Sequence, residues 1–166
     1  MTSIIRHPLV RAALIAGVAL LAACGPPKKS VFPPAVTLQE VTAKPGGPWH
    51  MTLRIRNNSY GGMSFGTFQG TLRVGDLAGV LLDAKVDQDI PSFAADVATI
   101  DLLPTPEMAK ALAAIAAQGS AGALPYTIEG RITATPEKED EARTFPVQGK
   151  NWLSPVPGIP DTYRSP

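Results

Sequence analysis

Histidine, cysteine and charge are all scarce in this chain. Its 166 residues include one cysteine, Cys24, and two histidines, His7 and His50. A single thiol excludes a disulfide framework, and too few thiols and imidazoles remain for a thiolate-rich metal centre. Charged residues make up 17% and the formal net charge is +1, so the basic footprint of a nucleic-acid binder is missing. The longest apolar run, Ala12 to Ala23, would form a helix of roughly 18 Å, short of the hydrocarbon core of about 30 Å. Gly46-Gly47 and Gly61-Gly62 read as turn glycines, and no glycine-rich phosphate loop is present.

The chain does have many turn-forming residues, with 17 Pro and 15 Gly, beside a hydrophobic content of 45%. That balance supports a packed core and argues against a helical bundle. Its first residues carry Arg6 and Arg11, no acid, then the short apolar run, which describes a cleaved export signal over residues 1–23. The run ends in Leu21-Ala22-Ala23-Cys24, followed by Gly25, and this resembles the lipobox of bacterial lipoproteins. The resemblance implies that Cys24 becomes the acylated, palmitate-bearing first residue. Gly25, in place of Asp, implies sorting to the outer membrane on its periplasmic side. Several buried acyl methylenes at about 0.8 kcal/mol each anchor a protein without a spanning helix. Loss of residues 1–23 removes two basic residues and no acid, leaving thirteen against fourteen and a mature net charge of −1.

Residues 24–34 read as the lipidated cysteine and a tether rich in proline (Pro26, Pro27, Pro33, Pro34), able to extend about 30 Å. From Ala35 the pattern turns to strands. Trp49, Met51, Leu53 and Ile55 alternate with His50, Thr52, Arg54 and Arg56, a half-buried strand. Met63 and Phe65 are out of phase with Phe68, Gly70, Leu72 and Val74, which predicts a bulge at Gly66. Strands are also predicted over Leu77–Val86 and Ala94–Leu103, around Tyr126 to Ala134, and at Phe145 and Val147. One helix, roughly 105–118, is predicted from Thr105 as N-cap, Pro106 in the first turn and the stripe Met108, Leu112, Ile115. About seven strands predict a mainly β fold: an immunoglobulin-like or fibronectin III-like antiparallel sandwich over residues 35–150. Residues 151–166 hold four prolines without periodicity and read as a loosely attached tail pinned by Trp152.

The succession Val36-x-Leu38-x-x-Val41, Leu53-Arg54-Ile55-Arg56-Asn57-Asn58, Leu72-x-Val74-Gly75, Ile90-Pro91, a helix and Tyr126-x-Ile128-x-Gly130 is similar to the water-stress and hypersensitive-response domain. That domain is shared by group 2 late embryogenesis abundant proteins and many bacterial lipoproteins. The family turn Asn-Pro-Asn is represented here by Asn57-Asn58-Ser59. The resemblance implies a sandwich with one helix, protection under desiccation or other water stress, and no catalytic signature.

Catalysis would depend on His50, because His7 leaves with the signal, and an exposed strand histidine is the commoner explanation. Asp83, Asp87, Asp89 and Asp96, and the run Glu137 to Glu141, read as solvated loop charges; the glycine-punctuated loop of a calcium site is missing. His50, Arg54 and Arg56, joined by Arg131 from another strand, make a candidate face for an anionic partner. The expectation is therefore a non-enzymatic envelope lipoprotein without metal or small-molecule cofactor, protective or binding in role. The alternatives are an assembly lipoprotein docking an envelope protein and, third, a hydrolase using His50.

Overall fold

A computed structural model describes residues 29–166; the expected export signal, the lipobox-like Leu21, Ala22, Ala23 and Cys24, and Gly25 lie outside the described residues. Alternating apolar and polar side chains produce eight strands: β1 Ala35–Ala43, β2 Trp49–Arg56, β3 Met63–Val74, β4 Val80–Ile90, β5 Ala95–Leu102, β6 Leu124–Pro136, β7 Arg143–Pro155 and β8 Thr162–Arg164. Among the described residues one α-helix, α1 Pro106–Ala116, lies between β5 and β6. The fold is mainly β. All pairings are antiparallel, in the order β4-β3-β6-β7-β8-β1-β2-β5.

The sheet curls until it is nearly a barrel. Its two edge strands come together, and Gln88 Nε2 on β4 donates to the Val97 carbonyl on β5 at 3.3 Å. The inner face encloses one core, in which Trp49, Tyr126, Phe68, Leu38, Leu53, Ile55, Leu72 and Ile128 are sealed from water. β3 and β6 approach closely where Gly70 is paired with Gly130. A Cβ on Gly130 would lie 2.3 Å from the Gln69 carbonyl oxygen, so only glycine permits this contact. The predicted bulge is present, as the β3 register shifts between Phe65 and Thr67.

Helix α1 forms for local reasons. Thr105 Oγ1 accepts from the Met108 N–H at 3.2 Å, Pro106 occupies the first turn, and Met108, Leu112 and Ile115 are buried against one end of the core. The loops divide between two ends of the molecule. One end gathers the β2–β3, β4–β5 and β6–β7 turns with residues 29–34; the other holds the β1–β2 and β3–β4 turns, α1 and the β7–β8 connection.

Three expectations are corrected. β4 starts at Val80 rather than Leu77 and runs on to Ile90, so Asp83, Asp87 and Asp89 are strand residues; Asp96 lies on β5. There are eight strands rather than about seven, and the eighth comes from the tail. Residues 151–155 continue β7, then Thr162–Arg164 return to pair with both β1 and β7. Trp152 does not hold the tail, being half exposed; Leu153, Thr162 and Tyr163 are the buried residues that do.

Candidate functional site

The Asn57-Asn58-Ser59 turn organises the end of the molecule at which the described chain begins. Asn57 is fully buried. Its Nδ2 donates to the carbonyls of Gly61, Ile90 and Pro91 at 2.8, 3.0 and 3.1 Å, and its Oδ1 accepts from the Ser59 N–H at 2.8 Å. A short amide side chain after β2 thus closes its own turn and ties it to the end of β4. Ser92 Oγ adds a bond to the Ser59 carbonyl at 2.9 Å, and the Asn57 N–H donates to the Ala94 carbonyl at 2.9 Å.

The same turn captures the segment before β1. Ser59 Oγ accepts from the Phe32 N–H at 2.9 Å and donates to the Phe32 carbonyl at 3.1 Å. Asn58 Nδ2 donates to the Pro33 carbonyl at 2.9 Å, and the Tyr60 N–H donates to the Ser30 carbonyl at 3.1 Å. Lys29 reaches Glu137 at 2.7 Å, and Glu137 also accepts from the Gly62 N–H at 3.2 Å. The lysine bond, the Gly62 N–H and the nearby positive charge hold the Glu137 carboxyl below its ordinary range. Residues 29–34, expected to form part of a free tether, are therefore fastened to the domain. Beneath this strap is a cavity of about 210 Å³, lined by Val31, Ser59, Met63 and Pro136 and rimmed by Lys29 and Glu137.

The candidate anion-binding face does not converge. His50, Arg54 and Arg56 stand on the exposed side of β2, whereas Arg131 is on β6, with β7, β8 and β1 intervening. Arg56 turns instead to Asn58, donating to its Oδ1 at 3.1 Å. His50 Nδ1 is hydrogen-bonded to Asp101 Oδ1 of the neighbouring strand β5, and both side chains are exposed. This pair lies on the outer surface, lining neither the cavity under the strap nor the apolar groove of about 530 Å³ between α1 and the β1–β2 hairpin. No group of three or more His, Cys, Asp or Glu side chains is placed to hold a metal ion among the described residues.

Comparison with known proteins supplies no function. No family model matches the chain, and no curated protein matches it. Among solved structures, a Northeast Structural Genomics Consortium target is similar at a TM-score of 0.41 and 14% identity, covering 80% of this chain and 88% of that one. A protein from Archaeoglobus fulgidus gives a TM-score of 0.34 at 10% identity, covering 76% of this chain and 100% of the other.

Two features of this architecture escape sequence reasoning. Tyr126 reads as one more inward strand residue, yet its hydroxyl crosses the core to the β1 bulge. It accepts from the Leu38 N–H at 3.1 Å, donates to the Leu38 carbonyl at 3.3 Å and meets Ser165 Oγ at 3.1 Å. Burial pushes its phenol pKa up, partly offset by those bonds. The second is the gathering of Phe32, Tyr60 and Phe93 from three separate segments. Phe32 and Tyr60 have ring centroids 6.1 Å apart, and Tyr60 and Phe93 pack edge-to-face at 4.9 Å. No periodicity connects residues so far apart in loops.

Proposed function

We propose that this chain is an exported lipoprotein, held by acylated Cys24 at the periplasmic side of the outer membrane. Its β domain acts there without catalysis, as a protective or binding module of the water-stress type. The observation that carries this reading is the fastening of residues 29–34 to the Asn57-Asn58-Ser59 turn. It makes the end nearest the lipobox a built surface rather than a loose entry. A fully satisfied Asn57 at the family's turn position supports the water-stress resemblance. The exposed, outward His50–Asp101 pair, away from either cavity, favours a non-enzymatic role over a hydrolase. We further infer that the curled sheet is a fibronectin-like or immunoglobulin-like sandwich. The run β5-β2-β1 and the run β4-β3-β6-β7 lie across one core, with β7 and β8 passing the chain between them.

Fractionation of cells expressing wild type and Cys24→Ser, with labelled palmitate, tests the anchor. Wild type is expected in the membrane fraction with label and the variant released without it; a variant equally bound and labelled would sink the reading. Deletion of the gene is expected to reduce survival of drying or osmotic shock, and undiminished survival counts against the protective role. One observation favours assembly with an envelope protein instead: the edge strands β4 and β5 present Leu81 and Val97, 82% and 37% exposed. Crosslinking that captures one stoichiometric partner at these strands would favour that role.

A further inference from the structure

We propose that Phe32, Tyr60 and Phe93 form a membrane-contact patch that seats this end of the domain in the headgroup region of the bilayer. The proposal rests on the anchor reading above, and the occupant it names is the lipid surface itself.

Three observations converge. The rings are exposed by 45%, 58% and 60%, yet they contact one another in sequence, so they form one continuous apolar surface rather than scattered side chains. They are also held outward by rigid backbone. Phe93 adopts φ +57°, a left-handed conformation that a bulky residue rarely takes, within a turn closed by the Ala94 N–H to Pro91 bond at 3.2 Å. Burial in the core does not compensate that conformation, because the ring points to solvent. Phe32 is fastened at both its N–H and its carbonyl to Ser59, and Tyr60 is the next residue of the same turn.

The third observation is chain connectivity. Five peptide steps from Cys24 to Lys29 span at most about 18 Å, and eight to Phe32 at most about 28 Å. An acylated Cys24 thus confines this end, not the opposite one, to the neighbourhood of the bilayer. Tyr60, with an apolar ring and a polar hydroxyl, favours that interfacial depth, and Phe32 and Phe93 add apolar rings of the kind that bury at the headgroup–acyl boundary. The acidic β6–β7 loop at the same end is partly neutralised, with Glu137 paired to Lys29 and Glu139 to Arg143.

The test uses the full acylated chain in phosphatidylethanolamine–phosphatidylglycerol vesicles containing brominated lipid. Trp49 and Trp152 both lie towards the opposite end of the molecule, so the native emission is expected to resist quenching. In a Tyr60→Trp, Trp152→Phe variant the emission added at position 60 is expected to be quenched by about two-fold or more, and Phe93→Gly or Phe32→Ser in that background to reduce the quenching. Thermal melts by circular dichroism accompany each variant, and a folded Phe93→Gly chain with undiminished quenching overturns the proposal. So does an anchored Tyr60→Trp chain whose added emission is unquenched, or is shielded by a crosslinked protein, while the anchor reading stands. A wild-type chain without lipid that fails to sediment with vesicles overturns both.

Discussion

Asn57 is a polar side chain without access to water, and every partner it satisfies is a backbone group, in its own turn, at the end of β4 or in the β4–β5 turn. Removing it takes the Asn57 bonds from the Gly61 and Ile90 carbonyls and the Ser59 N–H, and leaves the Pro91 carbonyl with the Ala94 N–H. Asn57→Ala is expected to cost about 2–4 kcal/mol, read as a lower urea midpoint at unchanged slope. Tyr126→Phe removes a hydroxyl serving Leu38 and Ser165, at a cost of about 1–3 kcal/mol. It also carries a pH signature. Burial raises the folded pKa of Tyr126 above its ordinary 10.0, so the folded state favours the neutral phenol. That contribution is complete below the unfolded pKa and is lost as pH rises through the folded one. Stability of the wild type is therefore expected to fall above about pH 10, and the Phe variant to lose part of that alkaline limb. Tyr163, whose phenol is raised by burial and then by Asp161, retains a further part of it. The sequence announces Asn57 through its place in a turn-forming run. It announces nothing about the Tyr126 hydroxyl, whose partners lie 88 and 39 positions away.

Elements whose causes are local are readable from the chain, and elements whose causes are distant are not. Helix α1 carries its cap, its proline and its apolar stripe within a dozen residues, and its position follows. Thr105→Ala is expected to cost about 1 kcal/mol, measured by thermal or urea denaturation. The alternation in β2 and β6 likewise fixes the inward faces, because a half-buried strand needs period two. The start of β4 is less legible: Gly75-Asp76 has the composition of a two-residue turn, but the connection continues through Gly79 before pairing begins at Val80. The β4–β5 turn is a further case, since nothing local demands a phenylalanine where φ is positive. Phe93→Gly relieves that conformation while losing the edge-to-face contact with Tyr60, and the two effects oppose each other. Its net effect on stability is expected to stay within about 1 kcal/mol.

At the scale of the whole molecule, the closing strand is the part the sequence conceals most. Three residues among prolines have too little length to show a period, so Thr162–Arg164 carry no strand signature. Their role is set by the sheet: β8 fills the place between β7 and β1, with Val41 opposite Tyr163 and Pro155 opposite Tyr163 on the other side. The Ser165 N–H then bonds Gln39 at the β1 bulge, and Ser165 Oγ meets the Tyr126 hydroxyl. A tail that merely trailed from the domain would be removable without consequence. A tail that closes the sheet leaves β1 and β7 with open backbone groups once it is gone, and uncovers the core beside Tyr163, which is only 5% exposed. Tyr163→Ala is accordingly expected to destabilise by about 3–5 kcal/mol, the range for deleting a buried aromatic ring. Deletion of residues 156–166 is expected to cost at least as much. Urea denaturation of the full chain decides between the two pictures, because an unchanged midpoint after that deletion is incompatible with β8 as the strand that closes the sheet.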